Sequence, residues 1–163
     1  MKPRFLVDSM LGSLARWLRI GGYDAEYRRD ADDDSLMEEA SKTGRVLLTR
    51  DRMLALRAKK RGVETILVEG EGDVEQLGAL AAALGLELNP SNSRCPRCNG
   101  SLTQVDRDQV RDRVPEASLE AFDVFWVCGS CGGVYWRGSH WKQIASTLEE
   151  AENLLRGKDY KSL

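Results

Sequence analysis

The chain has 163 residues, enough for one ordinary domain or for a domain of about 100 residues with a small module. Hydrophobic residues make up 42% and charged residues 31%, which is typical of a globular protein and excludes a largely disordered one. No apolar stretch reaches the roughly 18 residues of a membrane span, and no signal-peptide pattern is present. We therefore expect a cytoplasmic protein with no membrane partner. With a net charge of −2, a nucleic acid would have to be bound by a local basic patch.

Four short strand-like stretches alternate with four helical patterns in the first ninety residues. The stretches lie at 5–7, 24–27, 45–49 and 64–69, and the helices that follow them end near Gly21, Gly44, Gly62 and Leu84. Parallel strands need crossover connections, and helices serve as those crossovers on both faces of a sheet. The pattern predicts a three-layer α/β fold with a mostly parallel sheet.

Aspartates follow three of the four predicted strands. Asp8 ends the first strand, the run Asp32 to Asp34 follows the second, and Asp51 follows the third. In such sheets ligands bind beyond the carboxyl ends of the strands, so these side chains share one edge. Each aspartate is also a good helix N-cap, but one cap needs only one carboxylate. The accumulation of hard oxygen ligands therefore favours a Mg²⁺ or Mn²⁺ site.

The neighbouring residues narrow the chemistry of that edge. The phosphate-binding, dinucleotide-binding and phospho-aspartate motifs are all absent. The helix after Thr49 is strongly basic, and we expect Arg52, Lys59 and Lys60 to contact the phosphates of a phosphodiester ligand. The alternative for this run is a solvated helix face, although such a face usually interleaves acids at i,i+4.

These residues carry a resemblance to a known family. The segment "FLVDSMLGSLARWLRIGGYDAEYRRDADDDSLMEEA", followed by "GRVLLTRDRML", resembles the Mut-seven C-terminal family, a PIN-like ribonuclease domain commonly followed by a zinc ribbon. The resemblance implies a metal-dependent ribonuclease with catalytic acids Asp8, Asp33 and Asp51. Asp33 is favoured within its run because we expect it just before the first helical turn, and Asp32 and Asp34 are candidate additional Mg²⁺ or Mn²⁺ ligands.

The resemblance leaves two questions open. No fourth acid is obvious, Asp73 being only a candidate, so two-metal catalysis is undecided. PIN-like domains often pair, and a dimer is therefore one of the alternatives for the oligomeric state.

All four cysteines lie in two CxxC pairs, Cys95/Cys98 and Cys128/Cys131. Together with nearby glycines this spacing predicts a structural zinc ion. Disulfides are improbable in a cytosolic chain, and redox CxxC motifs lie at a strand-to-helix junction rather than in two turns that end in glycine. A polar stretch at 89–93 marks the expected boundary between a PIN-like domain, 1–90, and a small β-rich zinc ribbon, 91–163. Apolar spacing over 142–156 predicts a closing amphipathic helix that packs on the ribbon or on the PIN-like sheet.

Basic and aromatic residues interleave in "WRGSHWK". We expect RNA contacts, by stacking on unpaired bases and by charge, from Arg137, His140, Trp141 and Lys142. The alternative is that the aromatic residues here, such as Trp126 and Tyr135, only form the core of the ribbon. The sequence thus predicts a Mg²⁺- or Mn²⁺-dependent ribonuclease acting on single-stranded or structured RNA, and the alternatives are a non-catalytic RNA-binding or ribosome-associated protein and, more weakly, a DNA nuclease.

Overall fold

The computed structural model describes residues 2–154, which form a four-stranded parallel sheet followed by a three-stranded antiparallel sheet. The strands of the first sheet are β1 (Phe5–Val7), β2 (Ala25–Tyr27), β3 (Val46–Thr49) and β4 (Thr65–Leu67). The helices that follow them are α1 (Gly12–Ile20), α2 (Asp33–Thr43), α3 (Arg52–Lys60) and α4 (Gly72–Leu84). The predicted α/β fold is confirmed.

Helices cover both faces of the parallel sheet. On one face, Leu14 of α1 and Leu77 of α4 belong to the core cluster that contains Phe5 of β1. On the other face, α2 and α3 pack Leu36 and Leu54 against the sheet. Because successive strand residues point to opposite faces, a strand buried on both faces is a continuous apolar run. This explains why β1 and β3 contain only buried residues.

The strand order β2-β1-β3-β4 places a topological switch point between β1 and β3. From β1 the chain passes by way of α1 to β2 on one side, then crosses back to β3 on the other. Val7 pairs with Leu48, and the Asp8 N–H donates to the Leu48 carbonyl at 3.0 Å. The residues that follow β1 and β3 are therefore neighbours at the carboxyl edge.

The second sheet is a small module with its own apolar cluster. Its strands are β5 (Leu102–Asp106), β6 (Val124–Cys128) and β7 (Val134–Tyr135), and its helices are α5 (Arg107–Val110) and α6 (Glu116–Ala121). Val110, Leu119 and Phe125 are buried together on one face. Trp126 is the next residue along β6, so its side chain points to the opposite face. The predicted β-rich module is thus present after the α/β domain.

The last described helix, α7 (Trp141–Asn153), returns to the first sheet and packs on α4. Leu148 and Ala151 are buried in the same cluster as α1 and α4. The two helices approach closely at Gly78 of α4, where a Cβ would lie 2.8 Å from the Ala151 carbonyl oxygen. Residues 155 and 156 of the predicted C-terminal helix lie outside the described residues. Within 2–154, no helix has the length and apolar content that crossing a membrane requires.

We expect Gly78→Val to lower the free energy of unfolding by about 2 kcal/mol, because a side chain would overpack the contact between α4 and α7. The matched control is Ala82→Val at an exposed position of the same helix, where only helix propensity changes, by less than about 1 kcal/mol. Urea denaturation measures both variants. Equal stability of the two would show that the close contact at Gly78 does not restrict the side chain.

Candidate functional site

Asp8 lies at the carboxyl end of β1, where it caps a 3-10 turn, Ser9–Leu11. The residue is buried, with 7% of its surface exposed. Its Oδ1 accepts the Ser9 N–H at 2.7 Å, and its Oδ2 accepts the Thr49 hydroxyl at 2.8 Å. Neither donor is charged, and Asp8 makes no ion pair with any described residue. The carboxylate is therefore held in place by neutral donors.

Thr49 connects this carboxylate to Asp51. The fully buried Thr49 hydroxyl donates to Asp8 and accepts the Asp51 N–H at 3.0 Å. Asp51 is the N-cap of α3, and its Oδ1 accepts the N–H groups of Met53 and Leu54 at 2.9 and 3.1 Å. Asp8, Thr49 and Asp51 form one hydrogen-bonded unit at the switch point, which we call the edge unit.

The acidic run after β2 has different partners. Asp32, not Asp33, is the N-cap of α2, and its Oδ1 accepts the Ser35 N–H at 2.7 Å. That N–H is the main reason why the pKa of Asp32 is lowered. Asp33 lies 3.5 Å from an Arg57 nitrogen, and Asp34 lies 2.8 Å from Arg57. Both of these carboxylates are therefore paired with cations of α3.

The edge unit links the Asp8 carboxylate to the backbone of Asp51, whereas the Asp33 carboxylate lies beside Arg57 of α3. Among residues 2–154, the only group of three or more His, Cys, Asp or Glu residues with ligand atoms within 4.8 Å of one another is formed by cysteines. Asp73, the candidate fourth acid, accepts the Trp17 indole N–H at 3.1 Å. The metal-binding roles of Asp8, Asp33 and Asp51, and of Asp32 and Asp34, stay predictions.

The basic residues around α3 divide into two sets. Arg50 donates to the carbonyls of Val68 and Gly70, and Arg57 and Arg61 both bind Asp34. The second set is exposed and makes no ion pair within the described part of the chain: Arg52, Lys59 and Lys60. The three side chains that we expect to contact phosphates are therefore those without an acidic partner in the described part of the chain.

Four cysteines converge in the second module, with all sulfur atoms within 4.8 Å of one another. They belong to two CxxC turns, which we call the first knuckle, Cys95 to Cys98, and the second knuckle, Cys128 to Cys131. The closest pairs are Cys98 with Cys128 at 3.4 Å and Cys95 with Cys131 at 3.7 Å. These distances are far longer than a disulfide bond, and all four residues are free cysteines. The arrangement fits a structural Zn²⁺ ion with four thiolate ligands.

The pKa values of the cysteine thiols are consistent with a bound cation. Burial opposes ionisation of Cys128, but the N–H groups of Cys131 and Ser130 outweigh it and lower the pKa of its thiol to about 6. At Cys98 the N–H of Gly100 favours the thiolate, but burial and the adjoining cysteine sulfurs raise its pKa to about 12. Thiolates this close repel one another, and a divalent cation removes that repulsion.

Asn99, a residue that the sequence analysis missed, fastens the first knuckle to the parallel sheet. It is 3% exposed, and its side-chain oxygen accepts the Ala25 N–H at 3.0 Å. Its amide nitrogen donates to Asp24 at 2.7 Å and to Glu26 at 3.1 Å. Because β2 is an edge strand, its outward N–H group needs such a partner. The only sequence signal was an asparagine directly after a CxxC pair, where its φ of 70° is tolerated.

The expected RNA contacts of the second module lie around the start of α7. His140 and Lys142 are exposed, and the guanidinium of Arg137 lies 4.3 Å from the Trp141 ring centre and 5.4 Å from that of Trp126. These four RNA-contact assignments stay predictions.

The ribbon-core alternative named Trp126 and Tyr135, and both lie outside the apolar cluster of the ribbon. The Tyr135 hydroxyl lies 3.1 Å from the Cys95 sulfur, beside the cysteine cluster. Among the neighbouring aromatic residues, Trp136 packs against Phe125 of the ribbon cluster.

The family model described as the Mut7-C RNAse domain matches residues 3–148 of the chain. The match covers the edge unit, the acidic run and the four cysteines. Neither the curated proteins nor the solved structures contain a match to this chain.

We expect Asn99→Gly to lower the free energy of unfolding by about 2 kcal/mol, because the buried Ala25 N–H loses its partner. Glycine tolerates the positive φ, so the change tests the side chain alone. Hydrogen exchange at the Ala25 amide should become faster, while the zinc content stays the same.

The control for Asn99 is Asn92→Gly, an exposed position where a loss below about 1 kcal/mol is expected. Unchanged protection of the Ala25 amide in Asn99→Gly would contradict the assigned docking contact.

Proposed function

Because the chain belongs to the Mut7-C RNAse domain family, we propose that it is a metal-dependent ribonuclease that hydrolyses phosphodiester bonds at the carboxyl edge of β1 and β3. The observation that carries this proposal is the edge unit, in which the Thr49 hydroxyl links Asp8 to the backbone of Asp51 at the switch point. In an open α/β sheet this is the place where ligands bind.

The donor set of the edge unit suits Mg²⁺ or Mn²⁺. Asp8 and Asp51 offer hard carboxylate oxygens whose described partners are neutral N–H and O–H groups. Asp51 uses Oδ1 for both capping bonds, which leaves Oδ2 for another partner. When bound, such an ion activates a water for attack on phosphorus and stabilises charge on the leaving oxygen.

The chain's own residues set the orientation of these ligands. Thr49 fixes one oxygen of Asp8, and the first turn of α3 fixes the rotamer of Asp51. We assign the third catalytic carboxylate to Asp33, with Asp32 and Asp34 as additional ligands. Asp33 would take this role by exchanging its 3.5 Å contact with Arg57 for the ion. This exchange requires little free energy, because an exposed ion pair contributes only about 0–1 kcal/mol to stability.

The exposed cations supply a track for the RNA backbone. Arg52 opens α3 directly after Asp51, and Lys59 lies seven residues further, about 10 Å along the helix axis. Phosphates that follow α3 from the edge unit would meet Arg52, Lys59 and Lys60 in turn. We assign RNA contacts in the second module to Arg137, His140, Trp141 and Lys142.

The zinc-bearing module, 91–163, would serve the nuclease domain, 1–90, as a substrate-holding part. The cysteine cluster fits structural zinc, and a closed site with four thiolates leaves no position open for chemistry. The proposed setting is the cytoplasm.

We expect Asp8→Asn and Asp51→Asn to abolish Mn²⁺-dependent cleavage of single-stranded RNA, since each removes a proposed ligand charge. Asp33→Asn should reduce it strongly. Thr49→Val, which removes the partner of Asp8, should cost about 10- to 100-fold in activity or metal affinity, while Thr49→Ser retains the hydroxyl and most of the activity. Gel-based cleavage assays and manganese titrations measure these effects, and the products should carry 5′-phosphate and 3′-hydroxyl ends.

The matched control is Asp30→Asn, an exposed acid of the same loop that lies outside the proposed site. Thermal denaturation confirms that each variant folds. Cleavage that persists in both Asp8→Asn and Asp51→Asn would refute the assignment of the edge unit. RNA binding without cleavage by the wild type would favour the non-catalytic alternative, and equal cleavage of DNA would favour the DNA nuclease.

A further inference from the structure

A cavity of about 180 Å³ lies where α1, the 90–96 segment, the second sheet and α7 meet. Its walls include Trp126 of β6, Trp141 of α7 and Ile20 of α1. Pockets for drug-sized ligands and cofactors have volumes of about 300–1,000 Å³, so this cavity suits a smaller group. It lies on the face of β6 opposite the apolar cluster of the ribbon, and the packing of that core does not account for it.

The lining combines aromatic faces with guanidinium groups. The rings of Trp126 and Trp141 are only partly buried, and Arg137 lies over both of them. Arg16 of α1, also in the lining, is exposed and makes no ion pair with a described residue. Unpaired RNA bases stack on aromatic rings and on arginine planes, and phosphates pair with free arginines. The cavity therefore offers surfaces for both a base and a phosphate.

The position of the cavity relates it to the edge unit. α1 begins at Gly12, four residues after Asp8, and runs back along the sheet away from the carboxyl edge. With a rise of about 1.5 Å per residue, Arg16 lies about 6 Å and Ile20 about 12 Å along α1 from its first residue. A single strand that leaves the edge unit along α1 would therefore reach the cavity at its Arg16 side, before Ile20.

We propose that this cavity binds one unpaired base of the substrate RNA, with Trp126, Trp141 and Arg137 as stacking surfaces and Arg16 as the contact for an adjoining phosphate. The inference rests on the proposed function, because it takes RNA as the ligand. It adds a base-binding subsite on the opposite side of the edge unit from the basic helix α3. Such a subsite makes single-stranded RNA the preferred substrate class, since a paired base cannot enter it.

The experiment uses short fluorescent RNAs in which a single abasic nucleotide is placed at each position in turn. Binding is measured by anisotropy with the full-length zinc protein and without added Mg²⁺ or Mn²⁺, so that cleavage does not interfere. One abasic position should weaken binding to the wild type by about tenfold, the typical effect of one lost base–aromatic stack. Trp141→Leu should bind intact RNA about tenfold more weakly than the wild type does. Its affinity for the abasic RNA should be no lower than its affinity for intact RNA.

Two variants make the result independent of folding. Trp126→Leu tests the second wall of the cavity from a different element, and Trp141→Phe keeps an aromatic face and should retain most of the affinity. Arg111→Ala is the matched control, an exposed arginine beside α5, a helix that packs on the opposite face of the ribbon. Zinc content and melting temperature establish that each variant is folded.

The outcomes separate this inference from the ribonuclease proposal. If wild-type binding is insensitive to every abasic position, or if both Trp→Leu variants keep the wild-type discrimination, the base-binding subsite is refuted even when cleavage is observed. If no cleavage occurs but the abasic effect is present and lost in Trp141→Leu, the subsite stands and the ribonuclease proposal fails.

Discussion

Parallel pairing of β1 with β3 is the constraint on which the candidate site depends. It places Asp8 beside Thr49 at the end of two strands that are buried on both faces. A carboxylate there is costly to remove from water unless hydrogen bonds compensate, and the Thr49 hydroxyl and the Ser9 N–H provide that compensation. Since the same hydroxyl accepts the N–H of Asp51, the positions of the two acids are not independent. A change at Thr49 would affect both.

Several contacts tie the second module to the first, and two of them reach different parts of the α/β domain. Asn99, directly after the first knuckle, completes the hydrogen bonding of edge strand β2, and α7 adds Leu148 to the core between α1 and α4. An exposed strand edge invites pairing with other chains, so the knuckle also protects the sheet. A zinc ion held by the cysteine cluster would also steady the turn that carries Asn99, and through it the edge of the parallel sheet.

The parts of this structure that follow from local sequence patterns were predictable. Strand–helix alternation gave the α/β fold, and the CxxC spacing gave the cysteine cluster, because each is determined by residues close together in the chain. The contacts of Asn99 and Arg57 were not predictable. Asn99 meets Asp24, 75 positions away, and Arg57 meets Asp34, 23 positions away, and neither pair has a local signature. The sequence favoured Asp33 as the residue just before the first helical turn, but the N-cap is Asp32, because the exact start of a helix is poorly determined by local pattern.

The acids at the carboxyl edge therefore fall into two electrostatic classes. Asp8 and Asp51 accept hydrogen bonds from neutral donors, whereas Asp33 and Asp34 form ion pairs with Arg57 and Arg61. Exposed ion pairs of the second kind are weak and screened by salt. They hold the acidic run near α3, but its carboxylates can exchange these partners for others. A phosphate that drew Arg57 away would raise the negative potential around Asp33. Under the proposed function, RNA that binds along α3 and a divalent ion that binds at the edge would then favour each other.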